Sequence, residues 1–132
     1  MNYYIQARTN LGFDEAIARV TEFLKEEGFG VLTEIDVKAT LKKKLDIEYK
    51  PYRILGACNP LFAHKSLNAE PHIGVLLPCN VVVWDEGDSR VIAAMEPMIM
   101  AEIIGKPAVA EIAAQVSERI NRVVSKISEI TT

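Results

Sequence analysis

The chain has 132 residues, of which 49% are hydrophobic and 25% charged, and its formal net charge at pH 7 is -3. This length and composition are typical of one globular domain with its own core, so we expect a single domain over residues 1–132 rather than a disordered or fibrous chain. The small, interspersed charge predicts no nucleic-acid partner, and the lack of a signal-type start or a long apolar run predicts a cytoplasmic protein with no membrane partner.

The first third of the chain alternates between strand and helix patterns. Residues 3–8 indicate a short strand, and the apolar spacing that follows predicts an amphipathic helix over 13–24. Gly28 stands where a left-handed residue commonly ends a helix, so the chain is expected to turn there into a second strand over 29–35. An aspartate can cap a short helix over 36–45, whose lysine run is most simply a solvated helix face.

The middle of the chain predicts a strand that leads directly into a helix. Residues 52–58 form an apolar run that suits a strand, and it ends at Asn59 and Pro60. Asparagine as an N-cap followed by proline at the first helical position predicts a helix over 60–67.

A second apolar run, over residues 74–84, predicts a strand that is buried on both faces. Pro78 cannot donate a hydrogen bond within a sheet, so we expect a bulge or an edge position there, with the strand broken or bent at Pro78 and Cys79. The polar turn over 85–88 then predicts a hairpin with a strand over 90–95, and Trp84 is expected to anchor that hairpin.

The end of the chain predicts a long helix after a short helical or irregular segment over 97–104. Pro107 marks the start of this helix, and apolar residues recur at steps of three and four as far as Ile130. The methionines around Pro97 suit soft packing in a core or an interface. The order of the elements indicates a two-layer α+β fold with an antiparallel sheet covered by the long helix.

Two motifs in this chain resemble a known family, the domain of unknown function family 302. The first is Tyr-Arg-Ile-Leu-Gly-Ala-Cys-Asn-Pro at 52–60, and the second is Gly-Val-Leu-Leu-Pro-Cys-Asn-Val at 74–81. The resemblance also includes the opening strand and helix, so it covers nearly the whole chain. It implies a TBP-like fold, with a curved antiparallel sheet and helices packed on one face, and a homodimer, but no assigned activity.

The first functional hypothesis is a dimeric protein that binds a small molecule. Its candidate ligand-binding residues are Cys58, Asn59, Pro78, Cys79 and Asn80, because they place polar and proline residues inside otherwise apolar strands. We expect the pocket between the curved sheet and the helices. The alternatives are purely structural roles, in which both cysteines act as small core residues and Asn59 only caps a helix.

The second hypothesis is a thiol-dependent redox or metal-handling protein. Cys58 precedes a predicted helix N-terminus, where partial positive charge lowers the pKa of a thiol. A metal site would draw on Cys58, His64, His72 and Cys79, although their spacing matches no zinc signature. In a chain without a signal peptide the cysteines are expected to be reduced, while a disulfide stays open because it depends on their separation.

The third hypothesis is a protein-interaction module that assembles through the apolar stripe of the last helix. No serine-histidine-aspartate order, paired-carboxylate motif or glycine-rich phosphate loop stands out in the chain. The sequence therefore names no catalytic residue and no cofactor.

Overall fold

Five strands and five α-helices make up the computed structural model, which describes residues 1–130; residues 131–132 of the expected domain lie outside the described part. The strands are β1 (Tyr4–Thr9), β2 (Gly30–Asp36), β3 (Tyr52–Cys58), β4 (Cys79–Asp85) and β5 (Arg90–Met95). The helices are α1 (Phe13–Glu26), α2 (Val37–Leu45), α3 (Pro60–Ala69), α4 (Met98–Ile104) and α5 (Pro107–Glu129), and a 3-10 helix spans Pro71–Leu76.

All neighbouring strands of the sheet are antiparallel, in the order β1-β5-β4-β3-β2. The core lies between one face of this sheet and a layer of helices in which α5 contacts α1, α3, α4 and β1. The expected two-layer α+β fold with helices on one face is therefore confirmed. Among residues 1–130, no helix has the length and apolar character that crossing a membrane requires.

Local capping signals fix several of the helix ends. The Asp36 carboxylate accepts a hydrogen bond from the backbone N–H of Ala39 at 2.9 Å, so Asp36 caps α2 as predicted. Gly28 has a φ of 88°, a left-handed conformation that costs glycine little, and it lets Phe29 fold back into the core. The predicted C-terminal end of α1 and the predicted N-terminal end of α2 are thus confirmed.

The predicted strand over 74–84 is wrong in its first half. Residues up to Leu76 belong to the 3-10 helix, and β4 begins only at Cys79. Two helix-start signals override the apolar run: Pro71 occupies the first turn, and the Glu70 carboxylate accepts a hydrogen bond from the backbone N–H of His72 at 2.9 Å.

The expected break of the strand at Pro78 and Cys79 is confirmed, because β4 begins at Cys79, whereas the expected bulge there is wrong. From Cys79 onward, β4 pairs in regular register with β3, and Pro78 lies just before the strand, where its missing N–H interrupts no pairing. The irregular register is in β2, between Val31 and Thr33.

Glu70 links the 3-10 helix to the start of α5. Its carboxylate accepts hydrogen bonds from the Lys106 ammonium at 2.6 Å and from His72, and these bonds lower the pKa of Glu70 from 4.5 to about 2. A lowered pKa in the folded state means that this contact stabilises the fold above pH 4.5 and is lost as pH falls towards 2.

We expect the Glu70→Gln variant to show a weaker loss of stability than the wild type between pH 5 and pH 2. The free energy of unfolding, measured by urea titration at several pH values, checks this difference. Because Glu70 is partly exposed, the difference should shrink in 1 M salt. Parallel pH profiles of the two proteins at low salt would contradict the prediction.

Candidate functional site

The face of the sheet opposite the helices is not covered by any element among residues 1–130. Side chains alternate between the two faces of a strand, so Val81 and Val83 of β4 point into the core while Asn80, Val82 and Trp84 point to the open face. The same alternation in β1 buries Ala7 and leaves its neighbours on the open face. The other residues that the register places on the open face with these include Tyr4, Gln6, Tyr52, Ile54, Val91, Ala93 and Met95.

The open face holds a cavity of about 600 Å³. This volume is in the range of sites for small organic molecules. Val82 and Ala93, which are register partners with small side chains, form its floor, and the lining also includes larger side chains. The lining consists of Tyr3, Tyr4, Gln6, Tyr52, Asn80, Val82, Trp84, Ala93, Ala94 and Met95.

Aromatic side chains line the cavity from two places on the sheet. Tyr52 of β3 and Trp84 of β4 are register partners, and their rings stack with centroids 5.7 Å apart and planes 6° apart. Tyr3 and Tyr4, at the start of β1, meet edge to face with centroids 5.1 Å apart. Such pairs hold large apolar surfaces in fixed orientations.

Charges occur beside the cavity but not in its lining. The Lys50 ammonium lies 5.9 Å from the centre of the Trp84 ring, and the Trp84 indole N–H donates a hydrogen bond to the Glu86 carboxylate. Arg8 also lies on the open face, where its register partner is Val91, which in turn pairs with Trp84.

Two carboxamides, from Gln6 and Asn80, are the polar groups of the lining other than the tyrosine hydroxyls. Within residues 1–130, neither carboxamide makes a hydrogen bond to another group of the protein. Each carries two donors and an acceptor, so each can bind a ligand edge of mixed polarity.

The other four residues of the predicted ligand site lie elsewhere. Cys58, Asn59, Pro78 and Cys79 line a cavity of about 30 Å³ between the sheet and the helices. That volume holds roughly one or two water molecules. The structure thus brings these four residues together but separates them from Asn80, and the larger space lies on the face opposite the one we expected.

Asn59 has a structural role in this arrangement. Its side chain accepts a hydrogen bond from the Phe62 N–H at 3.5 Å and donates one to the Glu27 carbonyl at 3.4 Å, and the residue is buried. The interpretation of Asn59 as the cap of α3 is confirmed. The two Cys-Asn dipeptides therefore differ: Asn59 is a buried cap, whereas Asn80 faces the open cavity.

Both cysteines are free thiols. Cys79 belongs to the core and faces the helices from β4, and Cys58 is half-buried at the end of β3. Burial raises the pKa of the Cys79 thiol from 9.0 to about 11, and the neighbouring Cys58 contributes to this rise. A raised pKa opposes thiolate chemistry, so Cys79 suits a core residue better than a nucleophile.

We expect Cys79 to react with thiol reagents at neutral pH at least about 100-fold more slowly in the folded protein than after unfolding, because two pKa units remove that much thiolate. The Cys58→Ser variant isolates this thiol, and a colorimetric disulfide reagent measures the rate. The matched Cys79→Ser variant reports Cys58 alone. Equal rates for Cys79 in native and denatured protein would contradict the expectation.

The structure does not gather the residues proposed for a metal site. Among residues 1–130, no three side chains of histidine, cysteine, aspartate or glutamate are close enough together to hold an ion. The His64 ring is within hydrogen-bond distance of Asn68 at 3.3 Å, and the His72 ring lies 2.7 Å from the Glu70 carboxylate. The two histidines thus have partners other than the cysteines.

The apolar stripe of α5 packs in the core. Val116, Ile120, Val123 and Ile127 are all buried against the sheet and the neighbouring helices. The interaction-module hypothesis depended on this stripe, and the fold buries it inside the domain.

Most of the residues around the open cavity were not singled out from the sequence. The sequence pattern predicts Trp84 as a hairpin anchor and indicates no role for Gln6 or Tyr52. A signal was nevertheless present, because Asn80, Val82 and Trp84 alternate with the buried residues of β4. This alternation, together with an asparagine in an apolar strand, indicates a polar position on an open face.

Comparisons with known proteins agree with this fold. A crystal structure of an uncharacterized conserved DUF302 protein from Bacillus stearothermophilus is 32% identical, with a TM-score of 0.89 over 96% of this chain and 99% of that chain. No protein with curated annotation matches. The family model described as domain of unknown function DUF302 matches residues 5–127. The chain therefore belongs to the DUF302 family.

Proposed function

We propose that this protein binds a small organic molecule on the open face of its sheet. The observation that supports the proposal is the 600 Å³ cavity, with aromatic walls, an apolar floor and two carboxamides that have no partner in the protein. Sites for small molecules commonly combine a mostly apolar lining with a few polar groups that orient the ligand. Asn80 is the residue of the predicted ligand site that takes part in this one.

A thermal-shift screen of uncharged and charged metabolites tests the proposal. A ligand present at about 100 times its Kd should stabilise the protein by about 2.7 kcal/mol. Trp84 is the single tryptophan of the chain, so its fluorescence should change with each true ligand.

The Tyr52→Ala variant should lose both responses, because Tyr52 lines the cavity and stacks on Trp84. The control is Leu61→Ala, since Leu61 is an exposed residue of α3 outside the lining. A screen without hits, or hits that stabilise the Tyr52→Ala variant as strongly as the wild type, would refute the proposal.

We also propose that the protein is a homodimer that works in the cytoplasm. The β2 edge of the sheet supports the dimer, because its backbone can pair with another strand and because Leu32 and Ile35 on it are 68% and 49% exposed. The two free thiols support a reducing compartment. Light scattering should give the dimer mass for the wild type and the monomer mass for Leu32→Lys; a monomeric wild type would refute the dimer.

A further inference from the structure

We infer that the site on the open face takes an uncharged, planar nitrogen heterocycle with a lactam-type edge, in which a ring N–H stands next to a ring C=O. This inference rests on the proposed ligand-binding function and names the chemical class of the ligand. Three features of the site carry it: the shape of its walls, the absence of charged residues from its lining and the polarity of its two carboxamides.

The shape of the site favours a flat ring. The stacked rings of Tyr52 and Trp84 form an aromatic wall, and the small side chains of Val82 and Ala93 form the floor of the same cavity. An aromatic ligand gains from contact with such a wall beyond the area that it buries. A flexible chain would gain less there, because it loses conformational entropy on binding.

The lack of charged residues in the lining favours an uncharged ligand. No lysine, arginine, aspartate or glutamate is among the lining residues, so a charged group in the cavity would lose hydration without gaining a partner. Lys50 and Glu86 lie beside Trp84, and Arg8 lies on the same face of the sheet, but none of the three is among the lining residues.

The two carboxamides favour a lactam edge. Gln6 lies beside Ala93 in the register of β1 and β5, and Asn80 lies two residues before Val82 on β4, so both border the floor. A carboxamide presents a donor next to an acceptor, and a lactam presents the complementary pair. A ligand edge with acceptors alone would pair with the N–H donors of the carboxamide and leave its carbonyl oxygen without a partner.

NMR of the 15N-labelled full chain tests the inference, with the Trp84 indole signal as the probe of the site. The ligands are 2-quinolinone, its 1-methyl derivative, which lacks the N–H donor, its 6-methyl derivative, which keeps it, and caprolactam, which has the edge without the aromatic ring. A fragment of this size should bind with a Kd on the order of 1 mM.

We expect 2-quinolinone and its 6-methyl derivative to bind with similar Kd, and the 1-methyl derivative to bind about threefold to tenfold more weakly, because it loses a hydrogen bond. Caprolactam should bind more weakly than all three. The double variant Gln6→Leu/Asn80→Leu should remove the preference for the N–H donor, whereas Asn68→Leu, an exposed asparagine on α3, should keep it.

Equal binding of the 1-methyl and 6-methyl derivatives to the wild type would overturn the lactam edge. Stronger binding of caprolactam than of 2-quinolinone would overturn the planar ring. A thermal-screen hit that is charged or aliphatic and depends on Tyr52 would overturn this inference while supporting the proposed function.

Discussion

Replacing Ile120 by alanine is expected to lower the free energy of unfolding by about 2–5 kcal/mol. Ile120 is 1% exposed and lies in the middle of α5, within the main core cluster. The substitution removes apolar atoms from a close-packed interior and leaves a cavity that the sheet and helices fill only in part. A loss of this size is a large fraction of the stability of an ordinary domain.

Urea denaturation followed by circular dichroism measures this loss. The matched control is Glu118→Ala, because Glu118 is an exposed residue of the same helix and alanine has a good helix propensity. The control should change the free energy of unfolding by less than about 0.5 kcal/mol. Losses of similar size in both variants would contradict the placement of Ile120 in the core.

Helices could be predicted from the sequence because their signals are local. The apolar spacing of α5 and the proline at its start lie within the segment itself, and the Asn59-Pro60 pair marks the start of α3 where the structure has it. Capping and periodicity depend on neighbours three or four residues away. The prediction therefore needs no knowledge of the rest of the fold.

The segment before β4 shows where such signals compete. An apolar run over 74–84 fits a buried strand, but Glu70 and Pro71 start a helical turn that continues to Leu76. An apolar run by itself does not distinguish a strand from a buried helical segment. The capping pattern before the run indicates the helical turn that the structure contains.

The open-face cavity could not be predicted in the same way, because its residues come from distant parts of the sequence. Tyr4, Tyr52 and Trp84 meet only after β1, β3, β4 and β5 have paired in their observed register. Alternation along β4 does place Asn80 and Cys79 on opposite faces, whichever face carries the helices. The position of the helix layer then decides which of the two is exposed to a ligand.

Replacing Gly56 by alanine is expected to lower the free energy of unfolding by about 1–3 kcal/mol, the range for adding a methyl group where space is lacking. A Cβ atom at Gly56 would overlap the Oγ1 of Thr33 on β2 and would lie 2.8 Å from the Cγ of Pro78. Gly56 pairs with Thr33 on one side and Asn80 on the other, so the clash falls in the middle of three strands.

The double variant Gly56→Ala/Thr33→Ala should recover part of this loss, because it removes the Oγ1 while the contact with Pro78 remains. Gly30→Ala is the matched control, since Gly30 lies in the exposed strand β2 and an added Cβ there meets no atom within 4 Å. Urea titration of the wild type, Gly56→Ala, Thr33→Ala and the double variant measures the coupling between the two sites, and Gly30→Ala is titrated beside them. If Gly56→Ala were as mild as Gly30→Ala, or if the Thr33 substitution recovered nothing, the close approach of β2 to β3 at Gly56 would be wrong.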